Sequence, residues 1–110
     1  MTATQSVYGD FFMPKEVHCA HILVKTEQEA NDIKGKIDRK EEKFPKMAKR
    51  FSTCPSKEDG GDLGWFGRGA MVPEFEEMAF KMVPNKCSKP VKTQFGYHLI
   101  WVFETRGEDE

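Results

Sequence analysis

Four side chains in this sequence are chemically equipped: His21, Cys54, Thr93 and His98. A thiol and two imidazoles open three kinds of chemistry. A metal site could draw on Cys19, His21, Cys54 and His98, all acceptable ligand types, but no pair has a compact spacing such as C-x-x-C, and His18 falls on the other side of the strand from His21. A thiol nucleophile would need a histidine base and a recognisable setting, and no local protease signature surrounds Cys54. A neutral hydrogen-bonded network bordering an apolar pocket needs neither metal nor nucleophile, and it is the reading preferred here. Two inert core histidines are the plain alternative.

A pocket for such a network is legible in Gly60 to Phe75, GGDLGWFGRGAMVPEF, where five glycines alternate with Leu63, Trp65, Phe66, Met71, Val72 and Phe75. Glycines allow left-handed backbone and close approach, while large apolar side chains seek burial, so the segment reads as a tightly folded ribbon presenting a concave apolar surface. Pro73 suits the first turn of a helix, and Phe75, Met78, Ala79 and Met82 recur at helical spacing behind it.

The remaining elements follow from periodicity. Glu16 to Val24 alternates as a strand, with Val17, Cys19, His21 and Leu23 on one face and His18, Ala20, Ile22 and Val24 on the other. Both faces are largely apolar, which predicts a central strand. Thr26 with Glu29 forms a capping-box pattern, opening a surface helix that carries Ala30, Ile33 and Ile37 towards about Glu41. Phe44, Met47, Ala48 and Phe51, with Pro45 near the start, predict a second helix ending around Ser52, and Pro55 opens a short helical turn. After the ribbon's helix, Pro84 and Asn85 break the chain. A short strand then begins near Val91, Gln94-Phe95-Gly96 makes a tight connection, and Tyr97 to Glu104 is the most β-prone run present. The order predicts an α+β fold with one small, mostly antiparallel sheet.

The chain length suits one domain. Residues 1–14 read as a flexible arm, 15–106 as the domain and 107–110 as an acidic tail. A formal net charge of −1 provides no global attraction for nucleic acid or anionic membrane, so neither is an expected partner. Residues 34 to 50 carry eight basic and three acidic side chains, read as a solvated helical face because no aromatics interleave. No apolar run is long enough to span a bilayer and no leader pattern opens the chain; with three unpaired cysteines, this predicts a soluble cytoplasmic protein.

VHCAHILVK, FSTCPSKEDGGDLGWFGRGAMVPEFEEMAF and TQFGYHLIWV resemble the three signature blocks of the parvulin (PpiC-type) peptidyl-prolyl cis/trans isomerases, a match running from about Glu16 to Glu104. The resemblance implies a four-stranded antiparallel sheet with four helices, the second strand lying at Leu63 to Arg68. It also implies a noncovalent rotamase, monomeric and free of cofactor or metal, acting on X-Pro segments of polypeptides. It places the polar centre on His21, Cys54, Thr93 and His98 and the proline pocket on Leu63, Met71 and Phe75. Phe95 stands where some members carry a small hydroxyl. Phosphorylation-directed members insert a long basic loop after the first strand, whereas here Val24-Lys25-Thr26 passes straight into the helix, so no phosphate preference is expected. A non-catalytic, chaperone-like module that holds Pro-containing segments is the competing function. The pocket side chains are expected to be partly exposed, so that Phe75→Ala or Met71→Ala removes most activity while the fold survives.

Overall fold

The computed structural model describes residues 14–107, so the arm and tail lie outside it except for Pro14, which is fully buried, and Gly107. In chain order the elements are β1 (Glu16–Val24), α1 (Glu27–Asp38), α2 (Phe44–Phe51), a 3-10 helix (Pro55–Asp59), β2 (Asp62–Gly67), α3 (Pro73–Lys81), β3 (Val91–Thr93) and β4 (Gly96–Arg106). The predicted four helices are therefore three α-helices and one 3-10 turn. The single sheet has the order β2-β1-β4-β3, and every neighbouring pair is antiparallel. β1 is central, as its two apolar faces require.

Those faces build two cores. Ala20, Ile22 and Val24 of β1 and Leu99 of β4 pack against Ala30, Ile33 and Ile37 of α1 and Phe44, Met47 and Ala48 of α2. Val17 and Cys19, with Ile100 and Val102 of β4, pack on the other side against Phe66 of β2 and Phe75, Ala79 and Phe80 of α3. The two helical layers thus cover opposite faces of the sheet. Among the described residues no helix is long and apolar enough to cross a membrane.

Local chemistry explains the boundaries. The Thr26 capping box forms in full: its Oγ1 accepts from the Glu29 N–H at 3.1 Å and its own N–H donates to Glu29 Oε1 at 3.2 Å. Helix α1 stops at Asp38, short of the expected Glu41. Lys40 turns left-handed (φ 62°), its N–H donates to the Ile37 carbonyl, and the Glu41 N–H reaches back to the Lys36 carbonyl. That is the Schellman closure, here made by lysine where glycine is usual. Pro45 and Pro73 occupy first turns as predicted. On the basic face, Lys34 pairs with Asp38 at 2.9 Å and Arg39 with Glu41 at 2.7 Å.

Candidate active site

The strand register assembles the polar groups. In the β1–β4 ladder His21 stands opposite Ile100 and Leu23 opposite His98, which puts the two histidines on one face as diagonal neighbours. Across β3–β4, Val91 opposes His98 and Thr93 opposes Gly96, so Thr93 is diagonal to His98 in turn. The result is a line across three strands: His21 Nδ1 to His98 Nδ1 at 2.9 Å, and His98 Nε2 to Thr93 Oγ1 at 2.7 Å. The Phe95 N–H donates to the same threonine oxygen at 3.1 Å, so the hairpin turn fixes the end of the line.

Two proton arrangements fit this line. In one, the Thr93 hydroxyl donates to His98 Nε2, His98 Nδ1–H donates to His21, and His21 carries its proton on Nε2. In the other every donor and acceptor is reversed, and His21 Nε2 is bare. Either way the line ends at His21 Nε2, which is buried without a hydrogen-bond partner among the described residues.

Burial decides the charge of the pair. The two rings stack with centroids 5.1 Å apart, and the Phe75 ring stands edge-on to both, at 5.6 Å from His21 and 5.4 Å from His98. An imidazolium here would lose its hydration, and a charge on His98 would repel one on His21. Burial accordingly pulls the His21 pKa from an ordinary 6.5 down to about 4, with repulsion from His98 adding to it, and burial pulls His98 down to about 4 as well.

A stability consequence follows. Between pH 6.5 and about 4 the unfolded chain binds protons that the native pair refuses, so stability is complete above the upper limit and falls as pH falls through the window. The loss is on the order of a few kcal/mol at the acid end, spread over macroscopic steps that belong to the pair. Urea midpoints should decline from pH 7 to 4.5, and in NMR titrations neither ring should protonate above pH 5. A ring titrating near 6.5 would contradict a desolvated neutral pair.

In front of the histidines lies a concavity of about 560 Å³ lined by His21, Leu23, Thr53, Cys54, Pro55, Leu63, Ala70, Met71, Val72, Phe75, Phe95 and His98. No Lys, Arg, Asp or Glu side chain lines it. Its size is that of a small-ligand site, and its wall is apolar apart from the histidines, the thiol and one hydroxyl. Left-handed Gly60, Gly61, Gly64 and Gly69 curl the ribbon around it. Cys54 is half-buried, and its sulfur accepts from the Ser56 hydroxyl at 3.3 Å.

Seven of the eight anticipated site residues line this one cavity, but two differ from expectation. Thr93 is buried behind His98 and is not among the residues lining the cavity; its hydroxyl bonds the His98 ring instead. Phe75, expected to be partly exposed, is only 2% exposed and belongs to the α3 core, where Phe66 packs against it at 6.2 Å. The mismatch arises because its ring packs against both histidines and Phe66 in the α3 core. At the rim, Phe95 is 62% exposed. Leu23, Thr53, Pro55, Ala70 and Val72 also contribute to the wall: Ala70 and Val72 lie in the ribbon already read as an apolar surface, Leu23 shares the strand face of His21, and only nearness in sequence to Cys54 could have marked Thr53 and Pro55. Among the described residues, no three His, Cys, Asp or Glu side chains converge as metal ligands would. Cys19 is fully buried in the α3 core, where burial, with Asp62 adding to it, pushes its thiol up to about 12.

Comparison with known proteins is consistent with this geometry. Residues 12–104 match the family model of the PPIC-type PPIase rotamase domain. A foldase protein PrsA of Geobacillus kaustophilus is 51% identical over 96 residues, which cover 86% of this chain and 34% of that protein. The crystal structure of PrsA from Bacillus subtilis superposes with a TM-score of 0.79 at 44% identity, covering 84% of this chain and 36% of that one. The solution structure of NmPin, the parvuline of Nitrosopumilus maritimus, superposes with a TM-score of 0.75 at 42% identity, covering 82% of this chain and 97% of that one. The chain thus spans about a third of the length of the PrsA relatives and nearly all of NmPin. With both family blocks and fold in agreement, the chain belongs to the PPIC-type (parvulin) family of peptidyl-prolyl isomerase domains.

Proposed function

We propose that residues 15–106 form a monomeric peptidyl-prolyl cis/trans isomerase that turns X-Pro bonds of polypeptide substrates without a covalent intermediate. The observation that carries this reading is the apolar cavity backed by a neutral histidine pair and flanked by a thiol. Amide resonance opposes rotation with a barrier of roughly 18–20 kcal/mol, and uncatalysed exchange takes tens to hundreds of seconds. A site that binds the twisted amide better than either planar form lowers this barrier, gaining tenfold in rate for each ~1.4 kcal/mol of preference.

In this reading Leu63 and Met71 hold the pyrrolidine ring against the edge of Phe75 and keep water away. Cys54 and His98 flank the turning carbonyl, and Thr93 holds the His98 ring in place through its 2.7 Å bond. The cavity's lack of charged side chains and the short Lys25-Thr26 connection support an enzyme without preference for a phosphate before proline. Phe95 at the exposed rim offers an apolar contact to the flanking peptide. Free cysteines support a reducing, cytoplasmic setting.

The test is exchange on a short X-Pro peptide, followed by NMR line shape, with Cys54→Ser beside wild type. Serine preserves a small polar group able to accept the Ser56 hydroxyl, so the variant should keep substantial activity, Cys54→Ala should keep less, and chelators should change nothing. A folded Cys54→Ser protein that loses more than about a thousandfold, roughly 4 kcal/mol of barrier, would reinstate a thiolate mechanism. A wild type that binds the peptide without accelerating exchange would leave a chaperone-like holder.

A further inference from the structure

The outer edge of β1 changes partner beside the cavity. Its early residues pair with β2, Cys19 with Gly64 and Ala20 with Asp62, and the His21 N–H then donates to the Gly61 carbonyl at 2.9 Å. Beyond that point β2 no longer runs alongside. The segment after α2 takes over: the Thr53 N–H donates to the Leu23 carbonyl at 2.8 Å, and the Leu23 N–H, which lacks a strand partner on that side, donates to Ser52 Oγ at 3.0 Å. The same oxygen accepts the Cys54 N–H at 3.3 Å. Ser52 is buried at 3% exposure, so water cannot readily replace it as acceptor.

Beside the Thr53 backbone bond, one hydroxyl therefore bridges two walls of the cavity by accepting an amide from each. Leu23 continues the face that carries His21, and Cys54 carries the thiol; both line the cavity, whereas Ser52 itself does not. We infer that Ser52 is a positioning residue that sets the Cys54 wall against the histidine wall, by acting as the shared acceptor for the Leu23 and Cys54 amides. The inference rests on the isomerase reading for its effect on rate, but its structural content is independent of that reading. Serine suits the task because its oxygen has two lone pairs on a short stem, enough for two N–H donors from different segments. Alanine would leave both part-buried amides without this acceptor and would leave the Thr53 bonds to the Leu23 carbonyl as the remaining tie between the start of the 3-10 helix and β1.

Amide hydrogen exchange on the intact protein tests this directly. In wild type the Leu23 and Cys54 amides should be protected at least about a hundredfold over unstructured peptide. In Ser52→Ala both should lose tenfold or more of that protection while amides at the centre of the β1–β4 ladder keep theirs. Alkylation of Cys54 should speed up several-fold with Cys19 and Cys87, both buried, remaining unreactive. In the same variant kcat/KM on an X-Pro peptide should fall about tenfold, and Ser52→Thr, which keeps the hydroxyl, should recover most of it. Unprotected Leu23 and Cys54 amides in wild type would overturn the inference even if Ser52→Ala fails to fold. So would a Ser52→Ala protein with exchange, alkylation and kcat/KM within twofold of wild type, or one whose three cysteines react in step, which would make the loss global. An inactive wild type overturns the isomerase reading alone and leaves Ser52 to be judged by its exchange rates.

Discussion

Replacing Phe75 with alanine is expected to cost about 3–5 kcal/mol of stability, the usual penalty for emptying a buried phenylalanine site. Domains of this size hold only about 5–15 kcal/mol in total, so the variant should unfold at much lower urea and lose about 15–30 °C in Tm. The ring earns this weight by position: it is 2% exposed, packs on Phe66, and stands edge-on to both histidines. Activity should drop at least tenfold even at a temperature where the variant remains folded, because the cavity loses its inner wall and the rings lose the contact that fixes their tilt. Phe75→Leu should recover much of the stability and less of the rate. A Phe75→Ala protein with the wild-type urea midpoint would mean that this core collapses freely around the gap.

An even sharper effect is expected from a single methyl group at Gly61. Its φ is +86°, and a Cβ there would sit 2.3 Å from the His21 carbonyl oxygen and 3.2 Å from the Ala48 Cβ. Neither neighbour is the free end of a flexible side chain; one is backbone of the central strand and the other lies in the α2 core. Gly61→Ala must therefore push the ribbon off β1, breaking the His21 N–H to Gly61 carbonyl bond, at a cost of at least about 3 kcal/mol from strain and the lost bond together. Gly64 provides the comparison. Its φ is +77°, yet nothing lies within 4 Å of its would-be Cβ, so Gly64→Ala carries only the left-handed penalty of about 1–2 kcal/mol. Equal urea midpoints for the two variants would refute the contact argument, since their φ angles are nearly the same.

These glycines show where the sequence was readable and where it was not. Alternation in Glu16 to Val24 identified a central strand and put His21 and Leu23 on one face, because side chains in a strand must alternate. The mixture of glycine and large apolar residues identified the ribbon, and four of its glycines are left-handed. Residue chemistry grouped His21, Thr93 and His98 as a candidate network and the family resemblance placed them at one centre, but the diagonal across three strands depends on a register that no single segment encodes. Two features escaped for the same reason. The depth of Phe75 depends on how closely α3 approaches the sheet, and the double acceptance by Ser52 depends on β2 ending where it does. Helix α1 ended early because a lysine took a conformation that composition assigns to glycine.

The sheet order carries one more implication, which concerns synthesis. β1 and β4 lie side by side at its centre although they open and close the domain, with Glu16 opposite Arg106. As the chain leaves the ribosome, β1 can find β2 but not its other neighbour, and the last strand must arrive before either core is sealed. At about 5–20 residues per second, translation of the intervening stretch leaves Ile22 without Leu99, and Cys19 without Val102, for several seconds. Folding on the ribosome is thus held back until the final strand has cleared the exit tunnel, and a nascent chain stalled before Tyr97 should display β1 as an open edge to any passing chaperone.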